Sequence, residues 1–270
     1  MKFRDRVDLN VLSPYSMYAP EAFLRRVRLY CQNFPDMLPE NSDWSEPFKQ
    51  PFNPNDLEAM VPPSRKCEML WWQRTAKPKA DGMFGVRWTS RVQHLMDTHG
   101  KLTLSVELAQ ADQGRLVDYL KSASIDCEAD IALLDSLTDS YRDFAKTSRS
   151  TIFDGNSYNL VTNTLRHWLP DVFWGTVLEP AYVRLFGKEK LLSAPAFTVE
   201  ELGAEMVYLQ LSSSLTDLHT EFNSVQSVRA KVKQHLGIRA FFDPSSAYET
   251  SERGPIGAVF LVPQFQFKSD

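Results

Sequence analysis

From Lys101 to Leu108 the chain alternates strictly. Lys101, Thr103, Ser105 and Glu107 fall between Leu102, Leu104, Val106 and Leu108. A period of two puts all the leucines and the valine on one face, which predicts a half-buried strand. Phe84, Val86 and Trp88 repeat more loosely over 83–89, after the turn signal Asp81-Gly82. Val207, Leu209 and Leu211 predict strands within 197–211. A β-type run from Ala258 to Phe267 is broken by Pro263, which suits an edge strand or a bulge. Other stretches follow the helical period. Phe23, Val27 and Tyr30 recur after the helix-entry pair Pro20-Glu21. Leu116, Val117 and Leu120 predict a helix over 111–123, and an acidic stretch over 128–146 reads as a second one. Between Trp174 and Gly187 a helix is predicted, with Pro180 near its start and Gly187 as its stop. The longest is expected at 216–236. Leu218, Phe222, Val225, Val232 and Leu236 form its stripe, Thr216 its N-cap and Gly237 its terminator. Residues 159–169 fit strand and helix equally.

The interval 35–65 breaks both periods. It carries Pro35, Pro39, Pro47, Pro51, Pro54, Pro62 and Pro63, which exclude a long helix or a central strand. A wrap with a short helical turn near 55–60 is the expectation, and Trp44, Phe48 and Phe52 would pack it onto the body. The chain then divides into an N-terminal helix and Pro-rich wrap, 1–65, and a body, 66–270. Strands and helices interleave without βαβα regularity and without a Gly-rich turn. The predicted class is α+β: a mixed or antiparallel sheet packed against several helices in a single compact domain.

Composition narrows the function. The chain has 270 residues, enough to bury a core without cross-links. Its formal net charge of −4 lacks the basic footprint of a nucleic-acid binder. Cys31, Cys67 and Cys127 are odd in number and widely spaced, which points to a reducing compartment. No apolar h-region opens the chain, and no apolar run reaches the roughly 20 residues of a membrane helix. A soluble, cytoplasmic protein is expected, with no membrane partner and an oligomeric state left open.

Catalytic motifs are missing. There is no G-x-G-x-x-G, no Walker loop, no H-E-x-x-H and no G-x-S-x-G elbow. Pro170-Asp171 followed by Lys188-Glu189-Lys190 approaches a restriction-endonuclease pattern, but its Glu-x-Lys is absent. The expectation is a non-enzyme with no cofactor and no metal site. Two features remain. The first is the acidic run Asp126, Glu128, Asp130, Asp135, Asp139 and Asp143, answered locally by Arg142 alone. On a helix Asp135, Asp139 and Asp143 would share a face and offer a docking surface to a basic partner. The second is the aromatic density at Met69-Leu70-Trp71-Trp72 and Phe173-Trp174, which suits core or interface anchors.

The stretch from Pro170 to Pro244 adds a resemblance. Its pieces are Phe173-Trp174, Pro180-Ala181-Tyr182-Val183 with Phe186-Gly187, and Leu191-Leu192 before Ala194-Pro195. Val199-Glu200-Glu201-Leu202-Gly203, Tyr208-Leu209-Gln210-Leu211 and Val228-Arg229 leading to His235-Leu236-Gly237 follow. In order and spacing these resemble the bacterial immunity protein 52 family and related type VI secretion immunity proteins. Trp71-Trp72 and Gly85 to Trp88 fit more loosely, and 1–65 does not contribute. The resemblance implies a partner: a cognate antibacterial toxin, often a nuclease of restriction-endonuclease-like fold, bound and blocked in the producer cell. It brings no catalytic residues. The rival readings are an effector-loading adaptor or chaperone, and an enzyme whose site is assembled from distant residues.

Overall fold

The structure is a computed structural model. It describes residues 6–45, 47, 50–62, 69–87, 98–137, 153–154, 157–158, 160–242, 249–251, 254–256 and 260–270. In chain order the strands of the main sheet are β1 (Arg6–Ser13), β2 (Asn41–Asp43), β3 (Gln50–Pro51), β4 (Met69–Arg74), β5 (Ala80–Gly85), β6 (Gly100–Glu107) and β7 (Ile131–Ser136). After the small pair β8 (Phe153–Asp154) and β9 (Ser157–Tyr158) come β10 (Gly175–Leu178), β11 (Thr198–Glu201) and β12 (Val207–Gln210). Strands β13 (Glu249–Ser251) and β14 (Gly254–Ile256) form a second small pair. The helices are α1 (Pro20–Asn33), α2 (Gln113–Cys127), α3 (Thr162–Leu165), α4 (Pro180–Phe186), α5 (Lys188–Leu192), α6 (Asp217–Thr220) and α7 (Phe222–Leu236).

Ten strands form one sheet in the order β11-β12-β10-β7-β1-β6-β5-β4-β2-β3. Every neighbouring pair is antiparallel. Strand β1 sits near the middle, with Leu9 opposite Leu104 on one side and Leu134 on the other. The segment 1–65, expected as a short strand-like start, a helix and a wrap packed on the body, supplies β1 to the middle of the sheet, and all parts share one apolar core in a single α+β domain. The prolines act as expected at the margin, where Pro51 ends the edge strand β3 and Leu57–Met60 makes one 3-10 turn.

One face of the sheet is apolar and carries α1 and α2. Phe23, Val27 and Tyr30, at the predicted spacing, are buried on α1. Tyr30 meets Trp72 at 4.9 Å and Phe34 at 5.2 Å between ring centroids, and its hydroxyl donates to the Met37 carbonyl at 2.8 Å. Tyr119 of α2 closes the group edge-on to Phe34 at 5.0 Å. Each such aromatic pair adds about 0.5–1.5 kcal/mol beyond the area it buries. Asp81-Gly82, predicted as a turn, lies inside β5 instead. Gly82 is needed there because a Cβ would strike the Thr103 carbonyl and the Trp72 ring. The glycine marks a close approach, which sequence cannot tell from a turn.

Two further expectations change. The acidic helix over 128–146 is overturned for its described part: Ile131–Ser136 is strand β7, buried on both faces. Its run of Ile131, Ala132, Leu133 and Leu134 is the signature of a central strand, and the spacing of the acids misled. The long helix at 216–236 is two, α6 and α7, broken at Glu221, and Thr216 makes no side-chain cap. Gly237 ends α7 at φ 112°, a backbone setting that favours glycine. No helix among the described residues is long and apolar enough to cross a membrane.

Candidate functional site

The four described positions of the acidic run do not form one surface. Helix α2 begins at Asp112, whose carboxylate accepts from the Arg115 N–H at 3.1 Å. It ends with Glu128 in the left-handed region at φ 42°. That exit turns the chain inward, so the acids on either side of it part company. Asp126 and Glu128 stay at the surface and line an open groove of about 730 Å³ between α1 and the end of α2. Arg25, Arg26, Arg28, Tyr15 and Asp270 line it as well. Asp126 pairs with Arg25 and lies 3.5 Å from Arg26. Glu128 accepts from Lys268 at 2.9 Å and from the Tyr15 hydroxyl at 3.1 Å. The Lys268 ammonium, with lesser help from Tyr15, holds the Glu128 carboxyl below its ordinary range. The groove is thus mixed in charge, not acidic.

Asp130 has turned inside. Its carboxylate lies 3.0 Å from His99 Nε2, and His99 Nδ1 lies 2.9 Å from the Thr162 hydroxyl. The same hydroxyl accepts the backbone N–H of His99 at 3.0 Å. Burial depresses the His99 pKa despite the neighbouring Asp130, so the ring is neutral. The hydrogen-bond network then assigns the tautomer: Nε2–H donates to Asp130, and Thr162 donates to Nδ1. The result is a closed Thr–His–Asp relay that consumes its own donors and acceptors. It has the order of a nucleophilic triad, but the Thr162 hydroxyl is held inside the fold, with 6% of the residue exposed. Glu179 follows β10 and hydrogen-bonds through its N–H to the Asp130 carbonyl at 3.3 Å. Its own carboxyl is driven well above the usual range by burial and then by the charge of Asp130.

Asp135, expected on a helix face turned to a partner, is 0% exposed. It lies on β7 beneath α7, where Arg229 donates to it at 2.8 Å and the Trp174 N–H at 3.0 Å. Burial lifts its carboxyl to about 6 against the pull of Arg229. Lys233, one turn further along α7, reaches Asp171 at 3.2 Å. Burial pushes the Asp171 carboxyl up, but Lys233 and Arg229 outweigh it and hold it below the usual range. A side chain so enclosed cannot meet a docking partner, and Asp135 is withdrawn from the contact surface. Asp139 and Asp143 lie outside the described residues. The near-match to a nuclease pattern also dissolves. Asp171 is committed to Lys233, while Lys188 pairs with Glu201 at 2.6 Å.

The cations that answer these acids come from positions 25, 26, 229 and 268, and Asp130 is met by the neutral His99 ring, each brought in by tertiary contact. One signal was readable in advance: Arg229 interrupts the apolar stripe of α7 between Val225 and Val232, and a buried arginine needs a buried acid. The aromatic clusters divide as well. Trp72, Phe173 and Trp174 are core, whereas Trp71 is 39% exposed on the other face of β4. Among the described residues, no three His, Cys, Asp or Glu side chains are gathered as a metal ion would require.

Sheet, helices and paired acids define an α+β protein built on one wide antiparallel sheet. No family model matches the chain, and no curated protein matches it. Among solved structures it is similar to the Pseudomonas aeruginosa T6SS protein PA0821, with a TM-score of 0.55 and 14% identity, over 96% of this chain and 78% of that one. At that identity the likeness is one of fold.

Proposed function

We propose that this chain is an immunity protein of a type VI secretion system, which binds a cognate antibacterial toxin in the producer cell and neutralises it. The observation that carries the reading is the fold likeness over 96% of the chain to a protein named for the T6SS. The residue pattern from Phe173 to Gly237, which resembles immunity protein 52, points the same way. The protein acts by occupancy and not by catalysis. The triad-like arrangement Thr162–His99–Asp130 is closed on itself and buried. The toxin is a nuclease of restriction-endonuclease-like fold, whose basic cleft suits a partner of net charge −4. Asp126 and Glu128 are the acids of the run that face the surface groove, and they are its candidate contacts.

The test is co-expression with the toxin encoded beside this protein, scored by growth and by recovery of a complex. Rescue of growth with a stable complex is the expected result. Failure of both would remove the immunity reading and bring the effector-loading adaptor forward.

A further inference from the structure

Residues 260–270 belong to no strand of the main sheet, yet they are anchored like a bound peptide. Their side chains alternate. Gln264, Gln266 and Lys268 face outward, while Pro263 is buried and Phe265 and Phe267 are half-buried. The Phe265 and Phe267 rings stand edge-on to His99 at 4.7 and 5.0 Å. Arg87 lies 5.1 Å over the Phe267 ring and donates to the Lys268 carbonyl at 2.7 Å. Lys268 forms a parallel bridge with Tyr15, donates its N–H to the Pro14 carbonyl at 3.0 Å and reaches Glu128 with its ammonium. Asp270 is the last anchor. Its carboxylate accepts the consecutive N–H groups of Met17, Tyr18 and Ala19 at 2.7, 2.6 and 2.8 Å, together with the Ser16 hydroxyl. Met17 adopts φ 56° to turn these donors toward one point, just ahead of α1. Successive N–H groups so arranged form a concave anion site, and here a carboxylate fills it.

We propose that residues 14–19 with Arg87, His99 and Glu128 form a peptide-binding groove, and that 260–270 is its exchangeable ligand, supplied in cis. The groove takes an extended segment of the pattern aromatic-x-aromatic-basic-x-acidic, which Phe265-Gln266-Phe267-Lys268-Ser269-Asp270 satisfies. Each feature has its own reader. The N–H cluster takes the acid, Glu128 and the Tyr15 ring take the cation, and the His99 edge takes the aromatics. Among the described residues the segment is tied to the body's backbone by the bridge at Tyr15 and by the Leu261 N–H to the Arg239 carbonyl at 2.9 Å, fewer ties than a sheet strand has, so it opens at lower free energy than the sheet. The Thr162–His99–Asp130 relay lies directly beneath it, and release of the segment admits solvent to His99.

The test uses the full chain carrying Lys268→Ala and Asp270→Ala together, read by amide hydrogen exchange. The amides of Met17, Tyr18 and Ala19 should exchange at least about tenfold faster, while those of Leu9, Leu104 and Leu134 stay unchanged. Loss of the acceptor alone would quicken the first group, so the deciding step is rescue in trans. A synthetic peptide of residues 260–270, in large excess, should restore their protection. The same peptide with Phe265→Ala and Phe267→Ala should not. Faster exchange of the sheet amides alongside 17–19, or no restoration by the native peptide, would overturn the proposal.

Discussion

Asp135 and Glu128 belong to the same acidic run, yet they meet opposite fates. Glu128 keeps 56% of its side chain exposed and pairs with a lysine that is itself 45% exposed, whereas Asp135 is fully enclosed and pairs with an arginine of which 2% is exposed. The two pairs have nearly equal separations, 2.9 and 2.8 Å. What differs is the medium. At the surface, water screens both charges and the pair contributes little. In the interior neither charge can be left alone, because its partner would stay buried and uncompensated. Identical chemistry in one stretch of sequence therefore yields a surface feature and a structural lock, and burial decides which.

The sharpest way to break that contrast is Arg229→Met. It leaves Asp135 enclosed without its guanidinium, and a loss of about 3–5 kcal/mol in urea unfolding is expected. A loss below about 1 kcal/mol would show that the interior pair behaves like a surface one. Next comes the relay. Thr162→Val takes the donor from His99 Nδ1 and the acceptor from the His99 N–H, and should cost about 1–3 kcal/mol by the same measurement.

The relay also carries a pH signature. The folded pKa of His99 lies below its ordinary 6.5, because burial penalises the imidazolium more than Asp130 stabilises it. Arg87 and Arg166 oppose the charge as well, and the Phe265 and Phe267 rings cover the ring edge. A depressed pKa means that the unfolded chain takes the proton first. The stabilising contribution is therefore complete above 6.5 and is lost as pH falls through the lower folded value. Urea midpoints followed downward across 6.5 should show this loss in the wild type, and His99→Gln should flatten it; equal slopes would exclude His99 as its source. The smallest effect is expected at the groove, where Glu128→Gln should change stability by less than about 1 kcal/mol, read as a shift in Tm.

The same contrast explains what the amino-acid sequence could disclose. Strand β6 and helix α1 are legible because each buries a single face, so their periods of two and 3.6 reach the sequence intact. Strand β7 buries both faces and carries no alternation, so its spaced acids read as a helix. The central place of β1 was invisible for another reason: its partners β6 and β7 lie far along the chain. The groove shares that difficulty. Asp126 and Glu128 are legible as acids, but Arg25, Arg26 and Lys268, which neutralise them, arrive through the fold. Charge runs are read locally, whereas their compensation is a tertiary property.

The most direct measurement is a calorimetric titration of this chain with the isolated toxic domain of the proposed cognate toxin. The immunity reading predicts saturable one-to-one binding that abolishes the toxin's activity. Binding that requires the toxin's targeting segment, or no heat of binding to the toxic domain at all, would contradict it.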